Sequence, residues 1–173
     1  MMIKNVQKNI IFKDLHKELR VLAKTIDSTF NMKEVQLLTN LKGTYKNIFK
    51  RQTPTNKKLD LLLDCLMIGT SYYERLTFLK NNLIKQKKPL RFLTSRAVNF
   101  VYVQQGFLEL KKQDKDVVRE VLVSKFYLLA KELNDLIEIT DNSLVNIDKL
   151  QFNLKSAIGV LRDRFMEENN ERK

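Results

Sequence analysis

Breakers are scarce in this chain, and that limits its fold more than any other feature. Only four Gly and two Pro, Pro54 and Pro89, occur in 173 residues. A β-sandwich or barrel needs a turn about every 8–12 residues, and such turns draw on Gly and Pro. Long uninterrupted segments with apolar residues at helical spacing point to helices instead. Hydrophobic residues make up 43% of the chain, enough for a packed core. The expected fold is all-α, a bundle of about six helices.

Apolar spacing places those helices. Ile11, Leu15, Leu19, Leu22, Ile26 and Phe30 recur at intervals of three or four, giving a first helix over residues 4–29. Its start, "MMIKNVQKNIIFK", holds three Lys and no acid, with Ile3, Val6, Ile10 and Ile11 as an apolar stripe. These residues are read as the opening turns of helix one; their likeness to a targeting helix is weak, because Arg and Ser are missing. Asn31 with Glu34 is a capping-box pattern for a second helix, whose stripe is Val35, Leu38, Leu41, Tyr45 and Ile48 or Phe49 and whose end is Thr53–Pro54. A third helix carries Leu59, Leu62, Leu63, Leu66, Tyr73, Leu76, Leu79 and Leu83. It is expected to stop at Pro89, because a proline pushes the residue before it out of helical geometry.

Beyond Pro89, "FLTSRAVNFVYVQQGFLELKK" has the β-branched and aromatic content of a strand, but no second strand exists to pair with it, so a helix is expected. A fifth helix opens at Asp114 or Asp116, and "TDNS" at 140–143 reads as the next turn. The sixth carries Ile147, Leu150, Leu154, Ile158, Leu161 and Phe165 in nearly coiled-coil spacing and ends in a charged tail.

The inventory of reactive groups is thin. Cys65 is the one cysteine and lies in the apolar run "LDLLLDCLM", so no intrachain disulfide forms and a buried structural thiol in a reducing compartment is expected. His16 is the one histidine, and zinc or di-iron sites need several His or Cys ligands or paired Glu-x-x-His motifs. No phosphate-cradling Gly-rich loop, Gly-x-Ser-x-Gly elbow or Cys-x-x-Cys occurs. The chain is expected to be no enzyme and to hold no metal or cofactor of its own. No apolar run reaches the roughly 18–20 residues of a membrane span.

Charge is spread unevenly. Residues 1–91 hold 19 Lys and Arg against 7 Asp and Glu, a net of +12, whereas residues 92–173 hold 13 of each kind. The changeover "KQKKPLR", with four cations around Pro89, is the expected boundary between a basic unit, residues 1–88, and a neutral helical extension, residues 89–173. The stretch "TYKNIFKRQTP" at 44–54 typifies the basic part, with three cations, two aromatics and no acid. At helical spacing Tyr45, Ile48 and Phe49 face the other helices, while Lys46, Lys50 and Arg51 lie outside near the C-terminal end. The helix dipole favours cations there by about 0.3–1 kcal/mol each. That accounts for one or two of them. An excess of twelve implies an acidic protein or a polyanion as partner.

The first half resembles the LYR family of small mitochondrial helical adaptors. In that family a Leu-Tyr-Arg motif begins helix one and a Phe-Arg pair closes helix two. Here "FKDLHKELRVL" takes the first place, "YKNIFKRQTPTNKKL" the second and "SYYERLTFLKNNL" the body of a third helix. The likeness is greatest to the branch that assists assembly of the mitochondrial ATP synthase. It places Leu15, His16 and Lys17 at the motif, with His in the Tyr place and Lys in the Arg place, and Phe49, Lys50 and Arg51 at the Phe-Arg pair. The resemblance implies a three-helix unit in residues 1–88, a mitochondrial matrix location and a role as assembly factor. It also implies acyl carrier protein as an acidic partner bound through those six residues. The partner's acyl-phosphopantetheine would enter an apolar tunnel lined by Leu15, Leu19, Leu22, Leu41, Tyr45 and Phe49.

Two other readings stay open. Tyr72, Tyr73 and Arg75, near the Lys-rich changeover, suit base stacking and phosphate pairing in a ribonucleoprotein such as the mitochondrial ribosome, although RNA binding favours a denser basic tract. The apolar seam of the sixth helix suits docking of a structural subunit onto a larger complex.

Overall fold

The computed structural model describes residues 2–30, 32–50 and 54–170. Among them every regular element is a helix: α1 (Met2–Lys8), α2 (Ile10–Thr29), α3 (Met32–Lys50), α4 (Thr55–Tyr102), α5 (Gln105–Leu108) and α6 (Lys112–Asn170). The all-α bundle is as expected, but the limits of its helices are not. None of the described helices is long and apolar enough to cross a membrane.

The first expected helix is two helices. Asn9 is the N-cap of α2, with extended backbone, and its side-chain Oδ1 accepts from the Ile11 N–H at 2.9 Å. An Asn in this role satisfies one of the orphan amides of a new helix start. The re-entry also sets the face. Phe12, Leu15, Leu19 and Ile26 are buried, while Ile11, expected in the core, is 56% exposed.

Pro89, expected to end a helix, lies inside the 48-residue α4. Its ring removes one amide and crowds the carbonyl four residues back. The apolar stripe explains why the helix continues. Leu76, Leu79, Leu83, Leu90, Leu93 and Ala97 are all buried, and the step of seven from Leu83 to Leu90 keeps the stripe on one face through the proline. Within the stripe Cys65 is buried and Leu63 is not.

The same holds for α6. The expected turn at 140–143 is helical, because Thr140 and Ser143 occupy buried stripe positions between Ile137 and Ile147. The Ser143 hydroxyl donates to the Ile139 carbonyl at 2.8 Å, so the helix accommodates its polar group without breaking. The expected fifth and sixth helices are thus one.

The chain forms two compact units, and neither matches residues 1–88 or 89–173. One comprises Met1–Phe30 with Asn81–Glu138, the other Asn31–Lys80 with Ile139–Lys173. The long helices α4 and α6 each give a segment to both.

In the first unit, α2 packs on α4 through stacked Phe12 and Phe100 rings 5.8 Å apart and an ion pair from Arg96 to Glu18 at 2.7 Å. The α6 segment enters through Phe126, whose ring lies 5.0 Å from His16, and through Arg119, which donates to the Tyr102 hydroxyl at 2.9 Å. In the second unit, α4 and α6 run antiparallel, since Gln151 Nε2 donates to Thr70 Oγ1 and Lys80 pairs with Asp141. α3 joins them at Gly69. A Cβ there would lie 3.5 Å from Leu41 on α3 and 3.7 Å from Gln151 on α6, so three helices converge on this residue.

The expected cap Asn31 and stop Thr53 fall outside the described residues, as do the side chains of Glu34 and Val35. The seam of the sixth helix is inward-facing over its first part. Ile147, Leu150 and Leu154 are buried within the second unit, which removes that part as a docking surface.

The interior proline makes a direct prediction. Pro89 is exposed, so Pro89→Ala restores an amide and relieves crowding without losing core contacts. Stability should rise by about 1–3 kcal/mol, the helix-interior penalty less the entropy that proline removes from the unfolded chain. Urea unfolding followed by circular dichroism measures this, and an unchanged or lower midpoint contradicts a continuous α4.

Candidate functional site

The six residues expected to line one tunnel are divided between the units. Leu15, Leu19 and Leu22 belong to the first; Leu41, Tyr45 and Phe49 belong to the second. No cavity within a unit contains them all. Leu15, Leu19 and Leu41 are core residues, Leu41 being the side chain that meets Gly69. Leu22 is half-buried beside Val21 and Phe92 in a groove of about 670 Å³ between α2 and α4. That groove has mixed charge, with Lys17 and Arg96 alongside Asp14 and Glu18.

The partner-binding residues divide the same way. Leu15, His16 and Lys17 lie on α2, Phe49 and Lys50 on α3, and Arg51 falls outside the described residues. Tyr72 and Tyr73 are half-buried on α4.

Around Phe49 the second unit builds a distinct site. Ile48 takes the buried stripe position on α3, which turns the next residue outward and leaves Phe49 46% exposed. Its ring meets Tyr45 edge-on, with centroids 5.3 Å apart. The two rings form one wall of a groove of about 480 Å³, and Ala157, Val160 and Leu161 of α6 form the other. Asn153 and Ser156 add hydrogen-bonding groups, and the charged lining is Lys58 of α4 and Arg164 of α6. Lys46 and Lys50 stand beside the aromatic pair on α3 and are exposed. No carboxylate among the described residues lines the groove.

A second groove, of about 470 Å³, lies in the first unit between α4 and α6. Leu90, Val98, Ala130 and Leu133 line it, with Lys87 and Arg91 from the "KQKKPLR" stretch and again no acid among the described residues. The excess charge is shared by the units rather than confined to one end. The first carries 17 Lys and Arg against 10 Asp and Glu, the second 15 against 10.

His16 sits in a third cationic place. Its ring packs edge-on against Phe12 at 4.8 Å and at a tilt against Phe126, and burial together with the Lys125 and Arg20 charges holds its pKa below the ordinary 6.5. Cys65 is buried, and burial with the Asp64 carboxylate pushes its thiol up, away from a reactive thiolate. Among the described residues no three of His, Cys, Asp or Glu are grouped to hold a metal ion.

Sequence reasoning reached Tyr45, Phe49 and Lys50 but missed the opposite wall, Asn153, Val160 and Arg164. The fold and grooves define a class: a two-unit helical protein with apolar, cation-edged grooves. No family model, curated protein or solved structure matches the chain.

The low pKa of His16 has a sign. The unfolded chain binds the proton more tightly, so stability is complete above about pH 6.5 and falls as the pH drops below that toward the folded-state value. The groups facing His16 are Lys13 and Arg20 on α2 and Lys125 on α6, all cationic. Between about pH 7.5 and about pH 5, the thermal midpoint of wild type should fall further than that of His16→Gln. Equal falls would show that His16 is not the group responsible.

Proposed function

We propose that this chain is a non-enzymatic helical adaptor that holds an acidic protein partner in the groove over Tyr45 and Phe49. The observation that carries the reading is the groove itself, with apolar walls, Lys58 and Arg164 in its lining and no carboxylate among the described residues that line it. An acidic amphipathic helix is the complementary shape. Its apolar face would cover Phe49, Val160 and Leu161, as helices seat in hydrophobic grooves elsewhere. Its carboxylates would meet Lys46, Lys50, Lys58 and Arg164. Such complementarity speeds encounter and selects against basic partners.

The likeness of "YKNIFKRQTPTNKKL" to the LYR family supports the rest of the proposal. The setting is the mitochondrial matrix, the chain serves a larger assembly, and acyl carrier protein is an acidic partner of the right chemistry. The acyl-chain tunnel is not part of this reading, which rests on the groove over Tyr45 and Phe49.

Binding of purified acyl carrier protein, measured by calorimetry in low salt, tests the proposal against an RNA oligonucleotide as competitor. Lys50→Glu with Arg164→Glu should weaken binding about tenfold or more, because repulsion replaces attraction at two rim positions. Both sites are exposed, so the melting temperature should barely move, each contributing within about 0.5 kcal/mol to folding. Parallel loss of folding and binding would make these residues structural. Binding of RNA alone, falling steeply with salt, would move the chain to the ribonucleoprotein class.

A further inference from the structure

The cavity at His16 is unlike the docking grooves. It is smaller, about 240 Å³, and lies in the first unit among α1, α2 and α6. Lys13, His16 and Arg20 reach it from one face of α2, Ser124 and Lys125 from α6, and Gln7 from α1. None of the described residues that line it is acidic. The acids of this part of α2, Asp14 and Glu18, point to the opposite face, where they line another groove and Glu18 is held by Arg96. Lys13, Arg20 and Lys125 have no ion-pair partner among the described residues. Three unneutralised cations around one concavity, beside an imidazole and a hydroxyl, form a site for a compact dianion.

The remaining wall narrows the choice. Phe12, Val121 and Leu122 line it and are apolar. A bare oxyanion would leave that wall uncovered, whereas a ligand with a small apolar body would cover it. We infer that this cavity binds a small phosphate monoester, its phosphoryl oxygens among Lys13, Arg20, Lys125 and the His16 ring, its organic part against Phe12, Val121 and Leu122. The inference is independent of the acidic-partner reading, since it concerns the other unit and another class of ligand.

His16 reports on the site without a label. It is the only histidine in the chain, so its ring protons give one resolved set of signals in a proton NMR spectrum. In the free protein its neighbours are cationic and its pKa is low. A bound dianion reverses that field, so the pKa should rise on ligand addition and affinity should increase as the pH falls.

The experiment is an NMR titration of the full chain with phenyl phosphate and, separately, inorganic phosphate, with ionic strength held constant by sodium chloride. The expected result is an upward His16 shift that saturates, with phenyl phosphate binding more tightly than inorganic phosphate. Lys125→Gln and Lys13→Gln, both at exposed positions, should each weaken binding about tenfold, the loss of one charge-assisted hydrogen bond. Lys131→Gln, on α6 outside the cavity, should leave it unchanged. No shift at constant ionic strength overturns the site. Equal shifts in all three variants reduce it to general screening and overturn it as well. Equal affinity for the two phosphates overturns the monoester assignment.

Discussion

Everything in this protein depends on two apolar stripes that stay in phase over very long helices. On α4 the stripe passes through Pro89 without changing face, and on α6 it passes through Thr140 and Ser143 in the same way. Burying one Leu of such a stripe contributes about 1.5–3 kcal/mol, so several of them together outweigh the roughly 3 kcal/mol that an interior proline costs. Because both helices continue, each supplies a segment to both compact units. Neither unit is then a contiguous piece of the chain, and α2 and α3, close in sequence, belong to different units.

That arrangement decides what the basic residues can do. A helix face that is covered by its own bundle has no surface left for a partner, as at Ile147, Leu150 and Leu154. Two open concavities remain, over Phe49 and Val160 in one unit and beside Lys87 and Arg91 in the other. Both are apolar inside and cationic at the edge. Apolar area supplies most of the affinity in such grooves and charge supplies selectivity and rate, so the pairing suits recognition of an acidic amphipathic surface.

Much of this was legible in the sequence, and the remainder has physical reasons. Scarcity of Gly and Pro gave the helical class, and the spacing of Leu15, Leu19 and Ile26 gave the buried face of α2. The choice between Ile48 and Phe49 needed the fold, because adjacent helical positions both lie near one face until packing selects between them. Asn9 was a readable cap signal, but the Ile-rich run around it masked the break. Pro89 and "TDNS" were read by local rules, and tertiary burial of an in-phase stripe overrode those rules. Arg164 and Val160 opposite Phe49 were not legible, because no local pattern says which distant helix closes a groove. The charge split between the halves of the sequence was real in number but not in space, since the folded units recombine those halves.

The central claim is that acidic partners meet the chain at the groove over Phe49. Zero-length carbodiimide coupling tests it most directly, because it joins a partner's carboxylates only to lysines already in contact with them. With acyl carrier protein as partner, peptide mass spectrometry should find cross-links at Lys46, Lys50 and Lys58, which flank or line that groove. Cross-links confined to Lys111, Lys112 or Lys115, with none at those three, would contradict the account.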